Sequence, residues 1–317
     1  MSKIVVLQHL SESQQQKIQQ AASSYEIVTV PVREADHSVL ADAEVILGWS
    51  RKLQDFILSD QCPVKWIQTW SAGVDKMPMK QLEQKHVLLT SANGVHTIPI
   101  SEQIFAYMLA FSRNLHRAVR NQEKHSWDES GNFTELHGKT IVIVGVGNIG
   151  AGTAQLAKAF GMRTIGVRRS GKEQEGIDRM YKMDELDEAL GEGDYIVNIL
   201  PLTGETEKLF NKGRFAVMKD NSIFINVGRG PTVDTDALVD ALQSSRIAGA
   251  GLDVFDPEPL PEDHPLWDME QVIITPHIAG SNEHYTDRVI DIFVENLKAY
   301  QGGQTLPVNL VDYSRQY

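Results

Sequence analysis

Short apolar runs alternate with polar stretches of helical character between residues 1 and 100. The runs are rich in β-branched side chains and cover residues 4–7, 26–30, 45–49, 65–68 and 87–90. Apolar runs of this length, separated by helical segments, are typical of βαβ units, in which consecutive strands join one parallel sheet. The pattern therefore predicts an α/β domain built on a parallel sheet.

The pattern changes at Ser101, which is a candidate N-cap for a long helix through the apolar stretch 104–111. This helix is expected to carry the chain into a second domain. After Arg113 the sequence is polar, with isolated aromatic residues such as Trp127 and Phe133. We expect an exposed arm there, which is a candidate contact between the subunits of a homodimer.

A second alternating series follows the arm, with apolar runs at 141–144, 164–167, 195–199, 222–227, 249–254 and 272–275. Helical patterns separate most of these runs, which predicts six parallel strands in a doubly wound sheet. A last helix, from Glu283 to Tyr300, is expected to return the chain to the first domain. The predicted domains are therefore residues 1–100 with 283–317, and residues 101–282.

The composition is that of a globular protein, because 317 residues with 42% hydrophobic content suffice for a core in each of two domains. No run reaches the roughly 18 apolar residues of a membrane span, and polar residues follow Met1 too closely for a signal peptide. We therefore expect a cytoplasmic protein with no membrane partner. Cys62 is the single cysteine, so one chain builds no disulfide and no cysteine-based zinc site, and no metal is expected.

The charge argues against nucleic acid as a partner. A formal net charge of −12 repels a phosphate backbone unless a basic stripe stands out locally, and the sequence shows none. The one basic cluster consists of Arg163, Arg168, Arg169 and Lys172. A cluster of this size suits a single phosphate group rather than a duplex.

A glycine-rich segment directly follows the apolar run 141–144. Gly145, Gly147 and Gly150 match the spacing of a dinucleotide-binding turn, and a helical segment follows them, which is the context that the motif requires. The glycines allow a tight turn, a close approach of the backbone to a pyrophosphate and close packing of helix on strand. We expect the amides around Asn148 and Ile149 to bind the anion at the helix N-terminus, the alternative being a merely structural turn.

The end of the next strand indicates which dinucleotide binds. NAD-binding sites carry an acidic residue there, about 20 positions beyond the glycines, for the ribose hydroxyls. This chain has Arg168, Arg169 and Ser170 instead, and guanidinium and hydroxyl groups suit a 2′-phosphate. The sequence therefore predicts NADP, with NAD as an alternative cofactor and a solvated turn as the alternative interpretation of the arginines.

Three charged side chains follow predicted strands of the second series. Reduction of a carbonyl by hydride needs a proton donor, and a 2-oxo acid also needs a cation for its carboxylate. Arg229, Glu258 and His277 supply both kinds of group. Because ligands of open α/β sheets collect at the carboxyl ends of the strands, we expect the three to meet near the reactive end of the cofactor.

With these residues in place, the chain resembles the D-isomer-specific 2-hydroxyacid dehydrogenase family over nearly its whole length. The matching segments are Ser71-Ala72-Gly73-Val74-Asp75, the turn Gly145–Gly150, Leu200-Pro201-Leu202-Thr203 with Thr206, Asn226–Gly230, Leu252–Phe255, Glu258-Pro259-Leu260, His264–Trp267 and Pro276-His277. The resemblance implies two doubly wound parallel-sheet domains. Residues 101–282 correspond to a Rossmann dinucleotide-binding domain, and the remainder to a smaller, discontinuous, flavodoxin-like substrate domain.

The resemblance also implies roles for single residues. His277 is the general acid and base, Glu258 orients it and favours its protonated form, and Arg229 binds the carboxylate and carbonyl of the substrate. Further substrate contacts are implied for the backbone amides of Ala72, Gly73 and Val74. Further cofactor contacts are implied for Leu200, Pro201, Thr206, Val227, Gly228, Asp253, Ala279 and Gly280.

The expected reaction is the NADPH-dependent reduction of a small 2-oxo acid, such as glyoxylate or hydroxypyruvate, to the D-2-hydroxy acid. A phosphoglycerate dehydrogenase-like enzyme is one alternative, although the chain stops at Tyr317 without the regulatory extension of some such enzymes. A dinucleotide-sensing binding protein of the same fold is another alternative. Glu258 argues against formate dehydrogenases, which have glutamine beside the histidine. Short-chain dehydrogenases are excluded because no tyrosine precedes a lysine by four positions.

Overall fold

The computed structural model describes residues 2–74 and 77–314, and it divides into two compact units. One unit comprises residues 1–95 and 282–317, and the other comprises residues 96–281. The domain boundaries predicted from the sequence, with crossings at 101 and 283, fall at neighbouring positions and stay a prediction.

The elements within the described residues follow the alternation seen in the sequence. The strands are β1 (Lys3–Val6), β2 (Glu26–Thr29), β3 (Ala43–Leu47), β4 (Trp66–Gln68), β5 (Leu88–Thr90), β6 (Thr140–Val144), β7 (Arg163–Val167), β8 (Arg179–Tyr181), β9 (Tyr195–Asn198), β10 (Ile223–Asn226), β11 (Gly249–Leu252) and β12 (Val272–Ile274). The α-helices are α1 (Glu12–Ala21), α2 (His37–Leu40), α3 (Gln54–Leu58), α4 (Met79–Gln84), α5 (Thr97–Ser112), α6 (Leu115–Glu123), α7 (Asn148–Ala159), α8 (Leu186–Glu192), α9 (Lys212–Val217), α10 (Thr235–Gln243) and α11 (Tyr285–Gln301). Short 3₁₀ helices cover Arg51–Leu53, Met183–Glu185, Gly230–Thr232 and Pro265–Trp267.

The first unit has, within its described residues, a five-stranded sheet in the order β2-β1-β3-β4-β5, with every pairing parallel. This is the strand order of flavodoxin-like folds. Helix α11 joins this unit because its buried face, which includes Val289, Ile290 and Phe293, recurs at helical spacing. Phe293 stacks on the buried Trp66 of β4 with ring centroids 4.9 Å apart. The apolar face of α11 therefore packs within the core of this unit.

The second unit has, within its described residues, a seven-stranded parallel sheet in the order β12-β11-β10-β9-β6-β7-β8. The strand order radiates from β6 in both directions, as in a Rossmann fold. The prediction of six strands was wrong by omission of β8. That strand has three residues, of which only Tyr181 is buried, so it leaves no apolar run in the sequence. It pairs in parallel with β7 at the edge of the sheet.

The long helix begins earlier than predicted. Helix α5 starts at Thr97, and Ser101 lies inside it, buried, with its hydroxyl 3.0 Å from that of Thr153. Ser101 is therefore no N-cap. The helix tolerates Pro99 because a proline in the first turn gives up an N–H that has no partner there in any case.

The segment after α5 is exposed, as expected for an arm. Helix α6 has no buried residue, and Trp127 beyond it is 91% exposed. No helix in the part of the chain that the structure describes is long and apolar enough to cross a membrane.

Candidate active site

The predicted site residues of the second unit lie in loops that leave one edge of its sheet. All strands run in the same direction, so the glycine turn after β6 and the loops after β7, β9, β10, β11 and β12 emerge together. Arg229 follows β10, Glu258 follows β11 and His277 follows β12. Neighbouring strand ends thus explain why residues far apart in sequence meet, as expected at the ligand-binding edge of such a sheet.

The glycine turn fits a dinucleotide pyrophosphate. Helix α7 begins after Gly147, and no side chain among the described residues caps it, so the first-turn amides of Asn148, Ile149 and Gly150 are available to an anion. A Cβ at Gly147 would meet nothing within 4 Å, whereas one at Gly150 would lie 2.8 Å from the carbonyl oxygen of Gly145. Gly145 has a φ of +106°, which favours glycine. Gly147 thus leaves room for a ligand, and the other two glycines allow the turn.

The basic turn after β7 contacts the glycine turn. The half-buried Arg168 donates from Nε to the Ser170 hydroxyl at 2.9 Å and from Nη1 to the carbonyl oxygen of Val146 at 3.4 Å. Arg169 and Ser170 are exposed beside it. Arg163 does not belong to this group, because it begins β7 at the opposite end and pairs with Glu192 at 2.8 Å. The basic cluster predicted from the sequence therefore loses Arg163 in the folded structure.

The loop after β9 is held by its own hydrogen bonds. The amide of Leu200 donates to Asn198 Oδ1 at 3.1 Å. The buried Thr206 hydroxyl accepts the amide of Thr203 at 2.8 Å and donates to the carbonyl oxygen of Pro201 at 2.7 Å. Thr206 therefore shapes the loop from within, while Pro201 is exposed at its surface.

A buried polar network that the sequence analysis missed fixes the loop of Arg229. Asn198 Nδ2 donates to Asn226 Oδ1 at 3.0 Å and to the Thr232 hydroxyl at 2.7 Å, and Thr232 in turn donates to the carbonyl oxygen of Arg229 at 2.6 Å. The amide of Gly228 donates to Asn226 Oδ1 at 3.1 Å. An asparagine at the end of two neighbouring apolar strands is the signal that could have revealed this network.

Gly230 brings the loop of Arg229 against the loop of Glu258. A Cβ at Gly230 would lie 1.8 Å from the carbonyl oxygen of Phe255, so only glycine allows this approach of two backbones. Arg229 is exposed, and its Nη1 donates to the carbonyl oxygen of Gly228 at 2.7 Å. The preceding residue, Val227, is buried.

His277 and Glu258 form a direct pair. His277 Nδ1 lies 2.8 Å from Glu258 Oε2, and Glu258 Oε1 accepts the amide of Phe255 at 3.0 Å. The His277 side chain is 52% exposed, so its ring is accessible to a ligand. Within residues 2–74 and 77–314, no three His, Cys, Asp or Glu side chains form a group that could hold a metal ion.

Glu258 is held in its ionised form. Partial burial raises the pKa of Glu258, but hydrogen bonds from His277 and the Phe255 amide, with the positive charges of His277 and Arg229, outweigh this effect. The pKa of Glu258 therefore lies below its ordinary value. Because both His277 and Arg229 act on this carboxylate, the three predicted catalytic side chains belong to one electrostatic site.

Asp253 anchors the backbone that carries His277. Asp253 is 2% exposed. Its carboxylate accepts the amides of Ile278 at 2.9 Å and Ala279 at 3.0 Å, and its backbone carbonyl oxygen accepts the amide of His277 at 2.8 Å. His277 has a φ of +53°, a conformation that needs such support. The carbonyl oxygen of Gly280 lies 3.0 Å from Nδ1 of His96. The predicted contact of Asp253 with the nicotinamide stays a prediction.

The predicted substrate loop lies in the first unit, after β4. The hydroxyl of Ser71 donates to the carbonyl oxygen of Gly73 at 2.8 Å, Ala72 is half-buried and Val74 is buried. Asp75, which completes the motif, lies outside the described residues. The role of the Ala72, Gly73 and Val74 amides in substrate binding stays a prediction.

Comparison with known proteins identifies the family. Residues 105–279 match the model described as D-isomer specific 2-hydroxyacid dehydrogenase, NAD binding domain. A glyoxylate/hydroxypyruvate reductase B of Escherichia fergusonii is 37% identical over 273 residues, which are 84% of each chain.

Two solved structures cover nearly the whole chain. A D-isomer specific 2-hydroxyacid dehydrogenase from Xanthobacter autotrophicus Py2, in complex with NADPH, is 27% identical with a TM-score of 0.81, covering 100% of this chain and 99% of that chain. A phosphoglycerate dehydrogenase from Lactobacillus plantarum is 35% identical with a TM-score of 0.60, covering 98% and 100%. The chain belongs to the D-isomer-specific 2-hydroxyacid dehydrogenase family.

Proposed function

We propose that the protein is an NADPH-dependent reductase that converts a small 2-oxo acid, such as glyoxylate or hydroxypyruvate, into the D-2-hydroxy acid. The observation that carries the proposal is the contact of 2.8 Å between His277 Nδ1 and the carboxylate of Glu258, which has Arg229 as a further positive neighbour. The name of the Escherichia fergusonii relative supports the choice of substrates.

Proton transfer is the task of His277. The carboxylate of Glu258 accepts the hydrogen bond of Nδ1, so Nε2 is the ring nitrogen that donates a proton to the carbonyl oxygen of the substrate. The ionised carboxylate stabilises the imidazolium before transfer. NADPH, when bound, supplies the hydride. In the reverse direction, Nε2 accepts the proton of the hydroxy acid.

Arg229 recognises the anionic substrate. A guanidinium binds a carboxylate through two parallel hydrogen bonds and also stabilises negative charge that develops on the neighbouring oxygen. In this proposal the backbone amides of Ala72, Gly73 and Val74 bind the same carboxylate. A proton donor, a cation and a loop of backbone amides would then all act on one small oxo acid.

NADP is the proposed cofactor, with NAD as an alternative. The amides of Asn148, Ile149 and Gly150 would hold the pyrophosphate, and Arg168, Arg169 and Ser170 would hold the 2′-phosphate. The remaining proposed contacts are those of Gly145, Gly147, Leu200, Pro201, Thr206, Val227, Gly228, Asp253, Ala279 and Gly280. The NADPH complex of the Xanthobacter autotrophicus protein supports the choice of cofactor.

The arm supports a homodimer as part of the proposal. Large apolar side chains are exposed along it, and clusters of this kind often form protein interfaces. They are Leu115, Val119, Trp127 and Phe133. We expect light scattering to give twice the chain mass for the native protein and a shift toward the single chain mass for the double variant Val119→Asp/Trp127→Asp; unshifted mass would remove the arm from the interface.

A cytoplasmic location is also part of the proposal. The buried Cys62 is the single cysteine of the chain, so the protein needs no oxidising compartment. Cell fractionation with an antibody to the native protein tests this location, and recovery from an extracytoplasmic fraction would contradict it.

The reaction is tested by following NADPH and NADH oxidation with a panel of 2-oxo acids. We expect fast turnover of NADPH with glyoxylate or hydroxypyruvate and D-glycerate as the product from the latter, resolved by chiral chromatography. Preference for 3-phosphohydroxypyruvate would favour the phosphoglycerate dehydrogenase alternative, which the Lactobacillus plantarum structure supports. Tight cofactor binding without turnover of any oxo acid would favour a dinucleotide-sensing protein.

A further inference from the structure

A tyrosine outside the matched motifs ends a chain of hydrogen bonds that leads to the His277 loop. The hydroxyl of Tyr107, on α5, lies 2.5 Å from Thr275 Oγ1, and Thr275 donates to Asp253 Oδ1 at 2.5 Å. The single hydroxyl proton of Thr275 is used in the bond to the carboxylate. Tyr107 must therefore be the donor in the first bond, and the chain runs from phenol to threonine to carboxylate.

The carboxylate at the end of this chain of hydrogen bonds fixes the backbone conformation on both sides of His277. Asp253 receives the hydroxyl of Thr275 from one side and the amides of Ile278 and Ala279 from the other. A buried carboxylate is costly unless such donors surround it. Loss of one donor weakens the set that holds His277 in its positive-φ conformation.

Tyr107 is placed to act as a permanent donor. Its ring is buried against β11, where a Cβ at Gly251 would lie 2.6 Å from Tyr107 Cγ. The pKa of Tyr107 is raised to about 12, chiefly by burial and also by the nearby negative charge of Asp253. The phenol therefore stays protonated at the pH values where enzymes of this kind are assayed.

We propose that Tyr107 and Thr275 are positioning residues for His277, which they orient through the carboxylate of Asp253. The inference rests on the proposed role of His277 as proton donor. It predicts that removal of either hydroxyl lowers the rate of the chemical step without weakening the binding of the cofactor.

The first test compares two tyrosines of the same unit. Tyr107→Phe keeps the ring and removes the hydroxyl, and we expect kcat to fall about fivefold while the NADPH dissociation constant changes less than about twofold. Tyr195→Phe is the matched control, because Tyr195 is also buried and hydrogen-bonds a threonine, Thr134, but begins β9 at the opposite end of the strands. We expect the control to lose stability to a similar extent and to keep the native kcat.

The second test uses the threonine. Thr275→Val preserves shape and removes a bond to a charged group, so we expect kcat to fall about 10- to 100-fold, and Thr275→Ser to recover most of the loss. If Tyr107 acts through Thr275 alone, the double variant Tyr107→Phe/Thr275→Val has the same kcat as Thr275→Val. Independent effects would lower it by a further factor of about five.

The outcomes separate this inference from the proposed function. Circular dichroism and thermal melting identify any variant that fails to fold. If Tyr107→Phe fails to fold, the comparison of Thr275→Ser with Thr275→Val still tests the inference. The inference is overturned if Tyr107→Phe matches Tyr195→Phe in kcat, if the double variant shows independent losses, or if Thr275→Ser is as slow as Thr275→Val. Full turnover by His277→Ala would instead overturn the role of His277 itself.

Discussion

Replacement of Gly230 by alanine should separate two loops of the active site. The added Cβ would lie 1.8 Å from the carbonyl oxygen and 2.1 Å from the carbonyl carbon of Phe255, whereas contacts below 3.0 Å are essentially never seen. The two backbones must therefore move apart by about 1.2 Å to relieve the oxygen contact, because the Cβ is fixed to one backbone, the carbonyl belongs to the other, and neither atom can rotate away. This movement takes Arg229 away from the loop of Glu258.

The magnitude follows from the displacement. A misplacement of about 1 Å costs about 100-fold in rate, and overpacking costs about 1–3 kcal/mol of the free energy of unfolding. We expect Gly230→Ala to lose about 100-fold in kcat/KM for the 2-oxo acid, measured by NADPH oxidation, with a lowered melting temperature.

A second glycine of the same unit provides the control for this experiment. Gly191 lies in α8, and a Cβ there meets only the carbonyl oxygen of Val217 at 3.6 Å, which is ordinary contact. Gly191→Ala should keep native kinetics and lose no stability, because alanine is favoured over glycine at helical positions. If Gly230→Ala has the native kcat/KM and melting temperature, the Cβ does not force the two loops apart and the prediction is wrong.

The inner strands of both sheets could be predicted because most of their residues are buried and form short apolar runs. β6 shows this best, since all five of its residues are buried. β8 was missed for the opposite reason: its edge position buries one side chain of three. The start of α5 was misplaced because Ser101 has the chemistry of a cap, while the helix in fact continues back through Pro99. The side-chain chemistry of Ser101 alone therefore did not distinguish an N-cap from a position inside the helix.

The charged residues of the candidate site were predicted from the sequence, but the residues that hydrogen-bond to their loops were not. Recognisable motifs contain Arg229, Glu258 and His277, and the reduction of a 2-oxo acid by hydride needs a proton donor and a cation. Asn198 and Thr232 act through a network that crosses two strands, and Tyr107 reaches Thr275 from a separate helix. These contacts depend on which elements pack together in the fold. No fixed spacing along the sequence predicts them.

Three further variants test separate parts of the site. His277→Ala should lower kcat about 10²- to 10⁴-fold with unchanged NADPH affinity, since only the proton donor is lost; native turnover would sink the assignment. Arg168→Asp should shift the ratio of kcat/KM for NADPH over NADH about 10- to 100-fold toward NADH, and an unchanged ratio would mean that this turn does not meet the 2′-phosphate. For Glu258→Gln, the lowered pKa of Glu258 means that the native carboxylate is charged throughout the neutral range and stabilises protonated His277 there. Reduction consumes that proton, so loss of the charge should move the alkaline fall in kcat to lower pH; a coincident pH profile for the variant and the native enzyme would show that Glu258 orients the ring without acting through its charge.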